Sequence, residues 1–352
     1  MPRPVIGEEE RVRRRGWVRK LLTVILLIAV LAGASWAVGG VWKQILAAGS
    51  DVLRALWTVP AIIALHFVQL LISAIGWRGL FVGARLDLGN FFRLRLIRES
   101  LNSLLPVAHV GGEMVAVQLL ARRGVAVARG TASVIVDVTM EVCSQLAFLL
   151  AGFLVLGWLS GTASSWLWAG SVVTAILVAG GLLLAQRFGA LRVLESVVSR
   201  IGQRWPSLVV DGLDGLNAEA RAIYRRPRRL LAAFFLQGGA WVLGVGETWL
   251  ILYALGVDAS LAQAFVVESL GGAARSAGFA VPGALAIQEG GFVLAAAAVG
   301  LPELPALSLS LVKRVREVLV GLAGLAVWRL VRGSEGRWSA RLPADLRSLD
   351  QP

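Results

Sequence analysis

The sequence is short of the residues from which most soluble catalytic sites are built. Of its 352 residues one is cysteine, two are histidine, and only 16% are charged. A single cysteine, Cys143, excludes an internal disulfide and any cysteine-based metal cluster. It lies in an apolar stretch, which marks it as a packed thiol rather than a nucleophile. His109 and Glu113 stand four apart, as metal ligands often do, but Gly111-Gly112 argues against one continuous helix between them. His66, the other histidine, lies in an apolar run and reads as a packed or hydrogen-bonded residue. There is no glycine-rich phosphate loop ending in Lys-Ser or Lys-Thr, no Gly-x-Ser-x-Gly and no His-Glu-x-x-His. An Asp-Asp-x-x-Asp run of the membrane prenyltransferase kind is also missing. No metal and no cofactor is expected.

What the chain does have is apolar length. Hydrophobic residues make up 57% and the mean hydropathy is +0.73, and several runs approach or exceed the roughly 20 residues that cross a bilayer as helix. Leu21–Trp42 carries no charge, Leu56–Trp77 carries only His66, and Leu146–Ala185 is uncharged throughout. The expectation is an all-α polytopic membrane protein. The net charge of +13 then reflects cytoplasmic loops and anionic lipid headgroups rather than nucleic acid.

Charge bias orders the chain. A basic arm, residues 1–20, precedes an uncleaved first helix and places the N-terminus in the cytoplasm. A second helix, about 56–80, returns. Arg78 to Arg129 then contains eight arginines on both sides of Pro106-Val-Ala-His-Val-Gly-Gly-Glu113. One crossing there would expose a basic flank outside, so two half-helices, roughly 91–105 and 113–121, are expected to form a re-entrant hairpin broken at Pro106, Gly111 and Gly112. Helices at about 130–158 and 166–186 complete a first membrane half, 21–186. In residues 187–228, arginine-rich and amphipathic, Leu191, Leu194, Val198, Ile201 and Trp205 recur at helical spacing, as do Val209, Leu213, Leu216, Ala220 and Ile223. These are helices lying on the cytoplasmic membrane face or a helical pair packed on the membrane domain; the pattern fits both. A second half, 229–332, holds a helix at about 229–255, a hairpin at about 262–299 broken at Pro282 and Gly283, and a helix at about 307–331. A cytoplasmic tail, 333–352, follows. Ala254 to Ala306 holds Arg275 as its one basic residue, which places this hairpin outside. About six full spans plus two hairpins result.

The two breaks are copies. Pro282-Gly-Ala-Leu-Ala-Ile-Gln-Glu289 lies 176 positions after Pro106–Glu113, and at that offset Gly124 meets Gly300, Asp137 meets Lys313 and Glu141 meets Glu317 without a gap. Residues 106–142 matching 282–318 read as a duplicated unit. An odd number of crossings separates the copies, so they should be inverted, as in many secondary transporters.

Eight charges fall in segments assigned to the membrane: Glu113, Asp137, Glu141, Glu289, Lys313, Arg314, Arg316 and Glu317. Each costs about 2.5–3.5 kcal/mol near a helix centre on an insertion scale, so pairing, water or a ligand must compensate. Asp137 and Glu141 share a helix face, as do Lys313 and Glu317. A central cluster of Asp137, Glu141, Lys313, Arg316 and Glu317 is expected, with Asp137 against Lys313. Glu113 and Glu289 are helix-starting caps or the two ends of a polar path.

Arg98-Glu-Ser-Leu-Asn-Ser-Leu-Leu-Pro-Val-Ala-His-Val-Gly-Gly-Glu113, followed by Leu-Leu-Ala-Arg-Arg-Gly124, resembles the first signature of the lysylphosphatidylglycerol synthase transmembrane, or flippase-like, family. Pro282–Glu289 resembles its second, with Ala284 and Ala286 where glycines are usual. Leu-Leu-Pro-Val-Ala-x-Val-Gly-Gly with Ser133-Val-Ile-Val-Asp-Val-Thr-Met-Glu141 is most similar to the hopanoid-biosynthesis-associated branch. The resemblance covers most of residues 20–332. It implies a bacterial inner-membrane protein that moves a polar or isoprenoid lipid, with anionic, polar or hopanoid lipids as partners. Full-length lysylphosphatidylglycerol synthases also carry a soluble aminoacyl-transfer domain; none is recognisable here, and lysylation by this chain alone is not expected. Two other readings stand beside a flippase: an intramembrane enzyme using Asp137, Glu141 or Glu289 as acid or base, and a scaffold docking lipid-biosynthesis enzymes through 187–228.

Overall fold

The computed structural model describes residues 48–81, 86–104, 111–161, 215–277 and 285–339, with side chains described for 287–331 of the last segment. Every regular element among these residues is helical. Three stretches are long and apolar enough to cross a membrane: Ala48–Leu80, Val127–Ser160 and Pro227–Ala254. The first ends in α1 (Val59–Leu80), entered through a 3-10 turn, Leu56–Thr58, with Pro60 in the first helical turn where its missing N–H costs nothing. The others are α4 (Val127–Ser160) and α6 (Pro227–Ala254). The chain is a membrane protein. Leu154, Trp158, Leu231 and Phe235 point outward from α4 and α6, as helices in lipid require.

Four shorter helices form two hairpins. In the first, α2 (Leu88–Leu104) packs on α3 (Gly111–Ala121). In the second, α7 (Leu261–Ala277) packs on α8 (Leu285–Ala298). At 1.5 Å per residue these run about 16–26 Å, short of a hydrocarbon core of about 30 Å. Between them lies α5 (Leu216–Tyr224), and α9 (Glu303–Ser339) closes the described chain. The expected helix at 21–42 and the one at 166–186 lie outside the described residues, as do Pro106, Pro282 and Gly283. The observed helices run a few residues longer than expected at several ends, since residues such as Val127 and Glu303 extend them beyond their apolar spans.

The 176-residue offset recurs in the backbone. α4 begins at Val127 and α9 at Glu303. Gly124 has φ +78° and Gly300 φ +76°. The Val125 N–H donates to Leu120 O at 3.2 Å, and the Leu301 N–H donates to Ala296 O at 2.9 Å. Both turns therefore end one hairpin and aim the next long helix in the same way, using a left-handed residue that only glycine adopts without strain.

Two apolar cores sit at opposite ends. One joins Val59 and Ile62 of α1, Ile251 and Leu252 of α6, Val267 and Phe292 of the second hairpin, and Leu309 and Val312 of α9. The other joins Ala74 and Trp77 of α1 to Leu94, Ile97, Val117 and Leu120 of the first hairpin, with Leu325 and Trp328 of α9 against them. Helices α1 and α9 thus run from the second hairpin toward the first. Helix α4 runs the other way, from Val134 in the first-hairpin core to Phe148, whose ring meets that of Phe265 of α7 at 4.9 Å.

Of the arginine-rich section, α5 buries Leu216, Ala220 and Ile223 against Ala132, Val136 and Met140 of α4 and Ala233 of α6. Arg129 donates to Glu219 at 3.1 Å beside it. This part of 187–228 is packed on the membrane helices, the second of the two arrangements its periodicity allowed.

Candidate functional site

Between the two apolar cores the buried residues turn polar. On α2, Arg95 and Arg98 are three apart and share a face; on α4, Asp137 and Glu141 do the same one turn on. The two faces meet. Arg95 spans both oxygens of Glu141, Nη1 to Oε2 at 2.9 Å and Nη2 to Oε1 at 2.7 Å, and its Nη1 reaches Asp137 at 3.2 Å. Arg98 donates to Asp137 at 2.7 Å and to Glu141 at 2.8 Å. Asp137 is fully buried; its other oxygen accepts from Gln237 of α6 at 3.2 Å, and Gln237 accepts from Ser73 of α1 at 2.7 Å. Arg98 also stacks 5.4 Å from the Trp77 ring centre, where a desolvated guanidinium gains from the ring's negative face.

A second network lies toward the other hairpin. Glu247 of α6 is fully buried and accepts from Gln69 of α1 at 2.8 Å and from Arg316 of α9, with Lys313 Nζ at 3.8 Å. Lys313 donates to Glu268 of α7 at 2.7 Å, and Thr248 donates to the same carboxylate. Arg275 of α7 donates to Glu317 of α9 at 2.9 Å. Arg314 bridges Glu289 at 3.2 Å and Glu317 at 3.4 Å. His66 Nδ1 lies 3.0 Å from Gln69 Oε1, the hydrogen-bonded role its sequence context suggested.

The expected single cluster is therefore two networks, and Asp137 does not pair with Lys313. Asp137 is saturated by Arg95, Arg98 and Gln237, and Lys313 by Glu268. Asp137 and Glu141 find their counter-charges on α2, Lys313 finds its own on α7, and Arg316 pairs with Glu247 of α6.

A cavity of about 70 Å³ separates the networks. Seven helices line it, bringing Arg95, Glu99, Glu141, Glu268, Arg275, Lys313, Arg316 and Glu317 to one wall system, with Gln288 of α8 beside them. Of the eight sequence-derived candidates, Glu141, Lys313, Arg316 and Glu317 face it. Asp137 lies one layer behind. Glu113, Glu289 and Arg314 stand outside the wall. Glu113 accepts from Asn102 Nδ2 at 3.0 Å, while Asn102 Oδ1 accepts the Gly112 N–H at 3.0 Å, so Asn102 caps α3 from the neighbouring half-helix. A Cβ at Gly112 would sit 2.5 Å from Arg98 O, which is why that position has no side chain; Gly111 meets no such neighbour.

Sequence reasoning missed Arg95, Arg98, Glu99, Glu247, Glu268 and Arg275 as site residues. Arg95 and Arg98 look like part of a cytoplasmic basic flank. The available signal was their three-residue spacing, which matches a single helix face opposite the four-residue pair Asp137 and Glu141.

With this geometry in hand, a family model described as the lysylphosphatidylglycerol synthase TM region matches residues 17–324. The chain belongs to this family. The match runs across both hairpins and both charge networks. No curated protein and no solved structure matches the chain.

Proposed function

We propose that this protein of the lysylphosphatidylglycerol synthase TM family moves the polar headgroup of a membrane lipid between leaflets, through the charged cavity between its hairpins. One observation carries the reading. A network serving structure alone would be closed on itself, because a buried donor without an acceptor is costly. Here the Nε2 of Gln288, and the Nε atoms of Arg95 and Arg316, have no partner among the described residues, and all three residues line the cavity. They are spare donors for the oxygens of a phosphate or hydroxyl headgroup.

The arrangement of helices supports the mechanism. Two half-helix hairpins at opposite ends of α1 and α9, with equivalent turns 176 residues apart, fit an inverted repeat in which each hairpin gates one side. About 70 Å³ holds roughly two waters at about 30 Å³ each. That is too small for a headgroup, which enters when one hairpin parts from α9. The acyl or isoprenoid tail stays in lipid. Sequence resemblance favours a hopanoid or other isoprenoid lipid as cargo, and the basic loops favour the bacterial inner membrane with both termini cytoplasmic.

Purified protein in liposomes containing a fluorescent phosphatidylglycerol, or an equally labelled hopanoid, tests this through quenching of the outer leaflet. The protein should accelerate exchange over empty liposomes. Gln288→Leu, which breaks no ion pair, should slow it roughly tenfold, the worth of one hydrogen bond to a charged group. Exchange no faster than in empty liposomes for every lipid tried would end the proposal.

A further inference from the structure

A second recess lies on the outside of the helix pair α1 and α6 and shares no residue with the central cavity. It holds about 370 Å³, against about 70 Å³ for the cavity, and so falls within the roughly 300–1,000 Å³ of ligand sites. Its shape follows from two glycines of α1. At Gly76 the helices touch, since a Cβ there would lie 3.6 Å from Ala233 Cα. Three residues on, a Cβ at Gly79 would meet nothing within 4 Å, and Arg229 reaches across the gap, its Nη1 donating to Gly79 O at 3.4 Å.

The recess has two ends of different chemistry. At its mouth stand Arg78, in the last turn of α1, and Arg229, in the first turn of α6, both exposed. Neither pairs with a carboxylate among the described residues, and no acidic residue among them lines the recess. Arg225, Arg226 and Arg228, just before, are exposed as well. Deeper in, Ile75, Ala232 and Leu236 form the lining. Leu236 lies seven residues beyond Arg229, about 10 Å along the helix axis. Ile75 is 41% exposed and Phe235, next to Leu236, is 69% exposed. On helices that cross a membrane such side chains meet lipid, so the recess opens sideways into the bilayer. A soluble anion would satisfy the arginines and leave the apolar depth empty; a lipid fills both.

We propose that this recess binds an anionic phospholipid of the leaflet beside the basic loops. Its phosphate sits between Arg78 and Arg229, and one acyl chain runs along Gly79, Ala232 and Leu236. Basic pockets between membrane helices hold anionic headgroups in this way, and a guanidinium offers phosphate oxygens paired donors. The lipid is a resident of the scaffold rather than cargo. It braces α1 against α6 about one turn from the bond in which Ser73 donates to Gln237, the residue that holds Asp137. The site stands independently of the transport reading above.

Native mass spectrometry of the purified full chain, offered equal amounts of phosphatidylglycerol and phosphatidylcholine with the same acyl chains, tests it. Wild-type protein should retain phosphatidylglycerol in preference. Arg78→Gln and Arg229→Gln should each weaken that adduct roughly fivefold, and together about twenty-five-fold. Gly79→Leu keeps both arginines, starts its side chain in open space and adds a better helix former. It should lose the adduct while melting at or above the wild-type temperature, and it decides alone if the arginine variants melt early. Glycerol phosphate, a headgroup without chains, should not displace the lipid. Equal retention of the two lipids, or an adduct unchanged in the double arginine variant or in Gly79→Leu, would overturn the proposal. Displacement by glycerol phosphate would overturn it too, marking a site for a soluble anion.

Discussion

Lys313 offers the sharpest test of which charges are partners. Its Nζ lies 2.7 Å from Glu268 and 3.8 Å from Glu247, its side chain is 4% exposed, and Glu247 is fully buried. Lys313→Met keeps the length of the side chain and its contact with Phe292, 5.7 Å from Nζ to the ring centre, while removing the charge. Glu268 then retains only the Thr248 hydroxyl. Removing one partner of a buried pair costs about 3–5 kcal/mol, because the remaining charge is left uncompensated. In a chain of this size that corresponds to roughly 5–15 °C in apparent melting temperature. Cys143 makes the measurement simple: it is the one cysteine in the chain and is buried, so a thiol-reactive fluorophore reports unfolding. The exchange Glu268→Lys with Lys313→Glu should recover at least half of what either single reversal loses. The exchange Asp137→Lys with Lys313→Asp should recover nothing, since those two residues belong to different networks. A Lys313→Met protein that melts within a degree or two of wild type, or rescue by the Asp137 exchange equal to that by the Glu268 exchange, would refute the pairing.

Other consequences are as specific. Gly124→Ala and Gly300→Ala meet open space but force a left-handed backbone; each should cost about 1 kcal/mol, equally and additively, in the same melting assay. Gly291→Leu would drive a side chain into Ala274 of α7, so it should separate the second hairpin and abolish lipid exchange, with the loss visible as increased proteolysis. Arg98→Lys keeps the charge but not the two-pronged contact with Asp137 and Glu141 or the fit to Trp77; it should lower the melting temperature by several degrees, as a Lys is no substitute at a bidentate stacked site.

The sequence showed the hairpins well and the site in part. Pro106 and Pro282 each precede a Glu by seven residues, and the half-helices fall where those breaks put them. The turn glycines follow from the same register: Gly124 and Gly300 have no apolar role to obscure them. Charges on the long helices were also legible, because Asp137 and Lys313 interrupt apolar runs. Their partners were harder to read. α2 carries Arg93, Arg95 and Arg98 within two turns, a pattern shared by cytoplasmic loops and buried clamps. Only the packing distinguishes exposed Arg93 from Arg95 and Arg98, which are 4% and 3% exposed. Glu247 was invisible for the opposite reason: one acid inside a 28-residue apolar helix has no second charge beside it to mark a face.

The expectation that Asp137 meets Lys313 failed on distance rather than on sign. Helices α4 and α9 do reach the same cavity, but a charge removed from water needs its partner within about 4 Å. For Asp137 the cations within that reach lie on α2, and for Lys313 the closest carboxylate lies on α7. Asp137 and Glu141 therefore draw on Arg95 and Arg98, and Lys313 draws on Glu268. Neutralisation is local to each half. The halves are joined instead by amide hydrogen bonds, Gln69 to Glu247 and Gln237 to Asp137, so that one hairpin can move without breaking the other's ion pairs. It also explains why the spare groups, Gln288 and Glu99, face that space: they are the polar residues on the wall that neither network consumes.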